Sequence, residues 1–200
     1  MFENLRADFK VAQGDRTREK GWLRVFLRVE TPLVVCYRFS HWVLTLRVPV
    51  VKQILLIISI VMQRFIQAFL GAFISPDAEI GPGLCVHTLS GILVGPVKIG
   101  ENCTIQTGVV ITAAARSIGD NVYFGPGAKV VGEARIGSNV TVMANSVVLT
   151  DVPDNTTVMG VPARIRLPRS APRRYKWQTV EEKHAAQSPV NGKAVSKAKV

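Results

Sequence analysis

The sequence predicts a mainly β chain: a parallel β-helix over residues 74–165, preceded by an α-helical region over 1–73 and followed by a disordered basic tail over 166–200. Three observations predict it. An apolar residue recurs at six-residue spacing along the middle of the chain. A second position, four residues behind the first, is small or apolar throughout. Between the two stands Gly, Asn or Asp in most repeats.

The first block reads as helical. Thr31-Pro32 supplies an N-cap followed by Pro at the first helical position. Leu33, Cys36, Tyr37, Val43 and Leu46 follow at roughly helical spacing. Pro49 opens a second helix that can run to about Gly71. Its apolar residues include Val50, Ile54, Leu55, Ile58, Val61, Met62, Phe65, Ile66, Phe69 and Leu70, with Lys52, Gln53, Gln63, Arg64 and Gln67 forming a broken polar face. Its uncharged run between Lys52 and Arg64 is 11 residues, short of the ~20 that a membrane span needs. A signal peptide fits poorly, because the N-terminus mixes acidic and basic residues and the apolar run starts too late. Two readings stay open: burial against other helices or subunits, or a place in a membrane interface helped by Arg28, Arg38 and Arg47. His41 has no partner at ligand spacing and reads as an ordinary helical histidine.

In the middle block the anchors are Ile74, Ile80, Val86 and Ile92. After one added residue come Ile99, Ile105 and Ile111, and after another Ile118, Phe124, Val130, Ile136, Val142 and Val148. The second register runs from Ala78 and Leu84 to Ser146 and Val152. In ten of the thirteen repeats the residue three places after the anchor is Gly, Asn or Asp, the types that tolerate a left-handed backbone. Alternating side chains interrupted by a tight turn every six residues make short flat strands with sharp corners. Three sides close a triangular coil, so thirteen hexads make a little over four coils.

The last block contains Pro168, Pro172 and Pro189 and ends in Lys193, Lys197 and Lys199. With little apolar material to bury, it is expected to be disordered beyond Trp177. It is either a solvated tail or a weak dock for anionic lipid or polymer.

The formal charge of +11 divides as +6 over 1–73, −2 over 74–165 and +7 over 166–200. The charge alone raises nucleic acid and anionic membrane as partners. Nucleic acid is set aside, because the basic tail lacks aromatic interleaving and no binding module is recognised. A composition 48% hydrophobic and 20% charged excludes wholesale disorder. Cys36, Cys85 and Cys103 are too few and too scattered for a disulfide framework or a zinc site, so no metal is expected and a reduced cytoplasmic chain is.

The stretch Ile74 to Ile165 resembles the hexapeptide-repeat acyltransferases, which fold as left-handed β-helices. VVLTDVPDNTTVMGVPARI (147–165) is similar to the end of the serine acetyltransferase branch and its polysaccharide-modifying relatives. IGPGLCVHTLSGILVG (80–95) is similar to that branch's active-site coil. The short helical block is closest in character to exopolysaccharide and colanic acid acetyltransferases. The resemblance implies a homotrimer that binds acetyl-CoA in the groove between neighbouring prisms. It also implies a histidine acting as general base on an acceptor hydroxyl. Such a hydroxyl is a weak nucleophile at neutral pH and needs a base within hydrogen-bond reach, with N–H donors at the developing oxyanion.

Two departures bear on the site. The family's catalytic histidine stands two places after the hexad anchor, which here is Thr88, while His87 occupies the preceding place. Either the corner is adjusted so that His87 reaches the hydroxyl, or His87 is an exposed corner residue. Serine acetyltransferases also carry a longer mid-repeat loop with an Arg-His pair. Here ITAAARS (111–117) is short and offers Arg116 alone, which either contacts the acceptor or is a surface arginine. The short loop implies an open groove suited to a sugar hydroxyl. Carried over by position, Pro126 and Ala144 line the CoA groove. Arg164 of GVPAR (160–164) meets a CoA phosphate, a role compatible with that motif capping the core.

The expected function is therefore an acetyl-CoA-dependent O-acetyltransferase acting on a sugar hydroxyl of cell-surface polysaccharide or its precursor. His87 would be catalytic, Thr88 and Arg116 acceptor-binding, and the helical block peripheral on the cytoplasmic face of the membrane. Serine O-acetyltransferase of cysteine biosynthesis and a catalytically inactive β-helix scaffold are the alternatives.

Overall fold

A computed structural model of the 200-residue chain describes residues 2–14 and 31–166. The expected basic tail beyond Arg166 and the residue Arg28 lie outside the described residues.

Three helices precede the β structure: α1 (Phe2–Gly14), α2 (Thr31–Thr45) and α3 (Pro49–Leu70). Thr31-Pro32 opens α2 and Pro49 opens α3, as the Pro signals predict. Gly71 ends α3 in the left-handed region at φ 62°, its N–H donating to the Gln67 carbonyl.

The β structure is a parallel solenoid of about five turns with three faces. One face stacks β1 (Phe73–Ile74), β4 (Leu93–Val94), β7 (Val110–Ile111), β10 (Lys129–Val130) and β13 (Val147–Val148). The second stacks β2 (Glu79–Ile80), β5 (Lys98–Ile99), β8 (Ser117–Ile118) and β11 (Arg135–Ile136). The third stacks β3 (Cys85–Val86), β6 (Thr104–Ile105), β9 (Tyr123–Phe124), β12 (Thr141–Val142) and β14 (Thr157–Met159). An antiparallel β15 (Arg164–Arg166) closes its end. Each strand is two or three residues long because a corner must follow within the hexad. The anchors point inward and form one continuous core from Ile74 to Val158.

The structure corrects the repeat in one place. The residue that pairs with Ile74 and Ile111 is Val94, not Ile92. The corner between β3 and β4 therefore holds six residues, 87–92, where its counterparts between β6 and β7, β9 and β10, and β12 and β13 each hold four. Ile92 is buried nonetheless, so a buried corner residue mimicked an anchor. The solenoid also runs past Val148: Val152 bridges to Ile136, and β14 adds a further strand.

Positive φ falls at seven of the ten Gly, Asn and Asp positions expected to turn: Gly83, Asn102, Gly108, Asn121, Gly127, Asn139 and Asn145. These lie on two of the three edges. Asp77, Gly95 and Asp151, on the edge between the first and second faces, turn without it.

The helical block closes the first coil with apolar side chains, Leu33, Val34, Cys36 and Ile66, that continue its core, and with a set of polar contacts. Tyr37 Oη donates to the Ala78 carbonyl at 2.7 Å and accepts the Ile80 N–H at 3.1 Å. Arg38 donates to the Ile80 and Gly81 carbonyls, both at 2.6 Å. His41 Nδ1 lies 2.9 Å from the Pro76 carbonyl. These side chains satisfy strand groups at the end of the stack, where no further coil exists to pair with them. Of α3, only Ser59 and Ile66 are buried, so burial against other helices of the same chain does not account for its apolar residues.

Candidate functional site

The edge between the third and first faces carries the candidate site. Backbone bonds stack its residues in columns. The N–H groups of His87, Gln106, Gly125 and Met143 donate to the Ile105, Phe124, Val142 and Val158 carbonyls of the next coil, at 2.9, 3.2, 2.8 and 3.0 Å. Beside that column, the Gly108, Gly127 and Asn145 N–H groups each donate at 2.8 Å to the Ser90, Thr107 and Pro126 carbonyls. Ser90, Thr107, Pro126 and Ala144 therefore form the second column. At ~4.8 Å per coil, the columns run about 14 Å along the prism.

This places the sequence-predicted residues. His87, Pro126 and Ala144 share the edge, and Pro126 and Ala144 are exposed on it. Thr88 adjoins His87 but not in the column that counting from the anchor gives it. Thr88 and Leu89 are the two extra residues of the long corner. Thr88 is exposed with φ +60°, a strained conformation for a β-branched residue, and Leu89 is buried in the core. The insertion widens the corner between two residues that stay stacked on the next coil, His87 through its N–H to Ile105 and Ser90 through its carbonyl to Gly108. Arg164, exposed on β15, stands at the far end of the same face. Arg116 does not join them. It precedes β8 on the edge between the first and second faces, where Nη2 lies 2.6 Å from Glu133 Oε2. Glu133 raises the Arg116 pKa, and the pair is a solvent-exposed tie between coils.

His87 is half-buried, and its Nε2 lies 3.5 Å from Cys85 Sγ. It follows β3, whose approach is fixed by a group the sequence reading did not single out. Asp8 Oδ1 accepts the Gly83 and Leu84 N–H groups, both at 2.8 Å. Its carboxylate also meets Arg38 Nε at 2.9 Å and Nη2 at 3.2 Å. Both side chains are buried. Burial pushes the Asp8 carboxyl above its ordinary value, against the pull of Arg38 and the two amides. Gln106, directly below His87 in its column, was also missed. Nothing in a hexad marks which polar corner residue stands under a histidine.

The chain was compared with known proteins. The family model "Bacterial transferase hexapeptide (six repeats)" matches residues 117–150, and "Hexapeptide repeat of succinyl-transferase" matches 89–113. A serine acetyltransferase of Synechococcus elongatus is 34% identical, over 82% of this chain and 68% of its own length. One from Staphylococcus aureus is 42% identical over 48% of this chain, which spans about half (49%) of that relative. Among solved structures, a serine acetyltransferase complexed with CoA superposes with TM-score 0.70 at 27% identity, over 82% of this chain and 68% of that one. The enzyme of Neisseria gonorrhoeae gives TM-score 0.68 at 28% identity, over 86% and 67%.

The expected class is borne out: the chain is a CoA-dependent acetyltransferase with acetyl-CoA as donor. Closeness to the exopolysaccharide and colanic acid branch, and with it acetylation of a sugar for polysaccharide synthesis, is corrected. The relatives are serine acetyltransferases, matched beyond the solenoid alone. Within one chain the short stretch before Ser117 lies on a different edge of the prism from His87, so its shortness does not widen that chain's own corner beside His87. The chain belongs to the serine acetyltransferase family of hexapeptide-repeat transferases.

Proposed function

We propose that the chain transfers the acetyl group of acetyl-CoA to the hydroxyl of serine, with His87 as general base. The observation that carries this reading is the 34% identity to a serine acetyltransferase across 68% of its length. The placing of His87 at the head of an exposed column with Pro126 and Ala144 supports it. Acetyl-CoA supplies an acetyl group already activated as a thioester. The residues along the edge suit it: a straight column of corner backbone with Pro126 and Ala144 exposed, and a cation, Arg164, at the far end for a phosphate. The imidazole of His87 accepts the serine hydroxyl proton as that oxygen attacks the thioester carbonyl; the C–S bond then breaks, and the departing CoA sulfur takes the proton back from the imidazolium. The Thr88 hydroxyl, exposed on the longer corner next to His87, would hydrogen-bond the acceptor. Arg116 lies on another edge and reaches this acceptor only from a neighbouring protomer, which a homotrimer would supply. Cys36, Cys85 and Cys103 form no disulfide with one another.

Free-thiol release from acetyl-CoA in the presence of serine tests the reading. His87→Ala should lower kcat by about 10²–10⁴ while leaving CoA binding intact. Unchanged turnover in that variant removes the His87 assignment. A chain that binds no CoA and turns over no acceptor is the inactive scaffold instead.

A further inference from the structure

Helix α3 is apolar outward as well as inward, where Ile66, Met62 and Leu70 pack on the core, unlike an ordinary surface helix. The face that meets α2 and the solenoid carries Lys52, Ser59 and Gln63 along with its apolar residues. Lys52 Nζ donates to the Leu44 carbonyl at 2.8 Å. The outward face carries Val50, Val51, Ile54, Ile57, Ile58, Val61, Phe65 and Phe69. All of these are exposed, from 48% at Val51 to 72% at Phe69. They fall within one continuous arc of the helix at 100° per residue. Gln53, Arg64 and Gln67 line one margin of that arc. A contiguous apolar face of this extent marks an interaction surface.

The charge around the face identifies the partner. From Thr31 to Pro76 the chain has four cations, Arg38, Arg47, Lys52 and Arg64, and no Asp or Glu. Arg38 is consumed by Asp8, while Arg47 and Arg64 stay exposed beside the apolar face. A second copy of this surface would set cation against cation. An anionic lipid surface offers hydrocarbon for the arc and negative headgroups for its rim. Trp42, exposed on α2 and tilted against Phe39, supplies an amphipathic ring of the kind favoured at headgroup depth.

Over an 18-residue window the mean hydropathy of α3 is 1.8, so its length and composition alone would suit a crossing. The connections exclude it. Before α3, the chain is anchored by α2 to the first coil. Immediately after it, the Gly71 carbonyl accepts the Gly91 N–H at 3.0 Å and the Phe73 N–H donates to the Ile92 carbonyl at 2.8 Å. Both ends are fastened to the same body, on the same side.

We infer that α3 lies in the plane of an anionic bilayer surface, its outward arc sunk to the acyl boundary, and holds the enzyme on the membrane as a peripheral protein. This goes beyond the acetyl transfer proposed above, and His87 plays no part in it.

Flotation of the purified full chain with vesicles of phosphatidylcholine alone, and with phosphatidylglycerol added, tests it. Binding is expected only with the anionic lipid and should weaken as salt is raised. Ile57→Glu/Val61→Glu should reduce it about tenfold or more, with thermal unfolding and serine acetylation retained. A wild-type face can be read independently. In a chain carrying Trp22→Phe and Trp177→Phe, brominated anionic lipid should quench Trp42. Absence of both flotation and quenching overturns the proposal. So does a fall in particle mass on light scattering in the double-Glu variant without vesicle binding by the wild type, which would assign the face to a second copy.

Discussion

Asp8 is a single side chain on which two parts of the molecule depend. Its carboxylate satisfies the buried Arg38 and the two amides that lead into β3. Removing the charge leaves a buried guanidinium without its counter-ion, which is worse than never having buried the pair. Asp8→Asn should lower unfolding free energy by about 3–5 kcal/mol in a denaturant titration. Because the same group holds the approach to His87, kcat should fall as well. The hexad pattern could not show this residue: Asp8 sits in an amphipathic helix with no signal of a partner 30 residues away. Cys103 makes the opposite case, a residue whose role is legible from its register alone. Buried in the core, its thiol is pushed up to about 12 by desolvation and contacts the Glu101 and Gly119 carbonyls. The raised value favours the protonated folded form. That contribution is complete below the unfolded thiol pKa of ~8.5 and is lost only as pH rises through the folded value. Cys103 should therefore resist iodoacetamide at pH 8 in the folded chain and react on unfolding, read by peptide mass spectrometry.

At the scale of elements, the corners were more informative than the strands. Two-residue strands carry almost no propensity of their own, so their positions follow from where the chain turns. The Asn residues marked turns correctly because a left-handed backbone leaves few choices. They also do something a single turn would not reveal. Asn121 Nδ2 donates to Asn139 Oδ1 at 3.2 Å, and Asn139 Nδ2 to Asn155 Oδ1 at 3.1 Å, a ladder up one edge. Asn139→Ala should lose both bonds and strain φ +57°, costing about 2 kcal/mol. Asn139→Gly should lose the bonds but keep the turn, costing about 1 kcal/mol. Thermal midpoints in the order wild type, Gly, Ala would check it, and equal losses would show that backbone strain is immaterial there. The corner after β3 escaped the pattern because Leu89 and Ile92 are both apolar and both buried. Composition cannot distinguish a strand anchor from an apolar residue turned inward at a wide corner. That ambiguity falls at His87, so the candidate site was legible as residues but not as a shape.

At the scale of the whole molecule, the repeat fixed the architecture because three registers in phase have few other solutions. The acceptor was misread because the short loop used to argue for it lies, within one chain, on a different edge of the prism from His87. The same one-dimensional construction predicts how the molecule should fail. Each coil touches only the coils above and below, so stability is a chain of neighbouring interfaces. The ends are closed differently: by the hydrogen bonds of Tyr37, Arg38 and His41 on the first coil, and by β15 pairing antiparallel with β14 on the last. Phe124 lies midway, fully buried, stacked between Ile105 and Val142. Phe124→Ala should cost about 3–5 kcal/mol through the cavity it leaves. If the coils are coupled chiefly to their neighbours, hydrogen exchange should rise first in β6, β9 and β12, while β1 and β2 beneath the helical block stay protected. A uniform rise over every strand would show instead that the solenoid and its helical cap unfold as one unit.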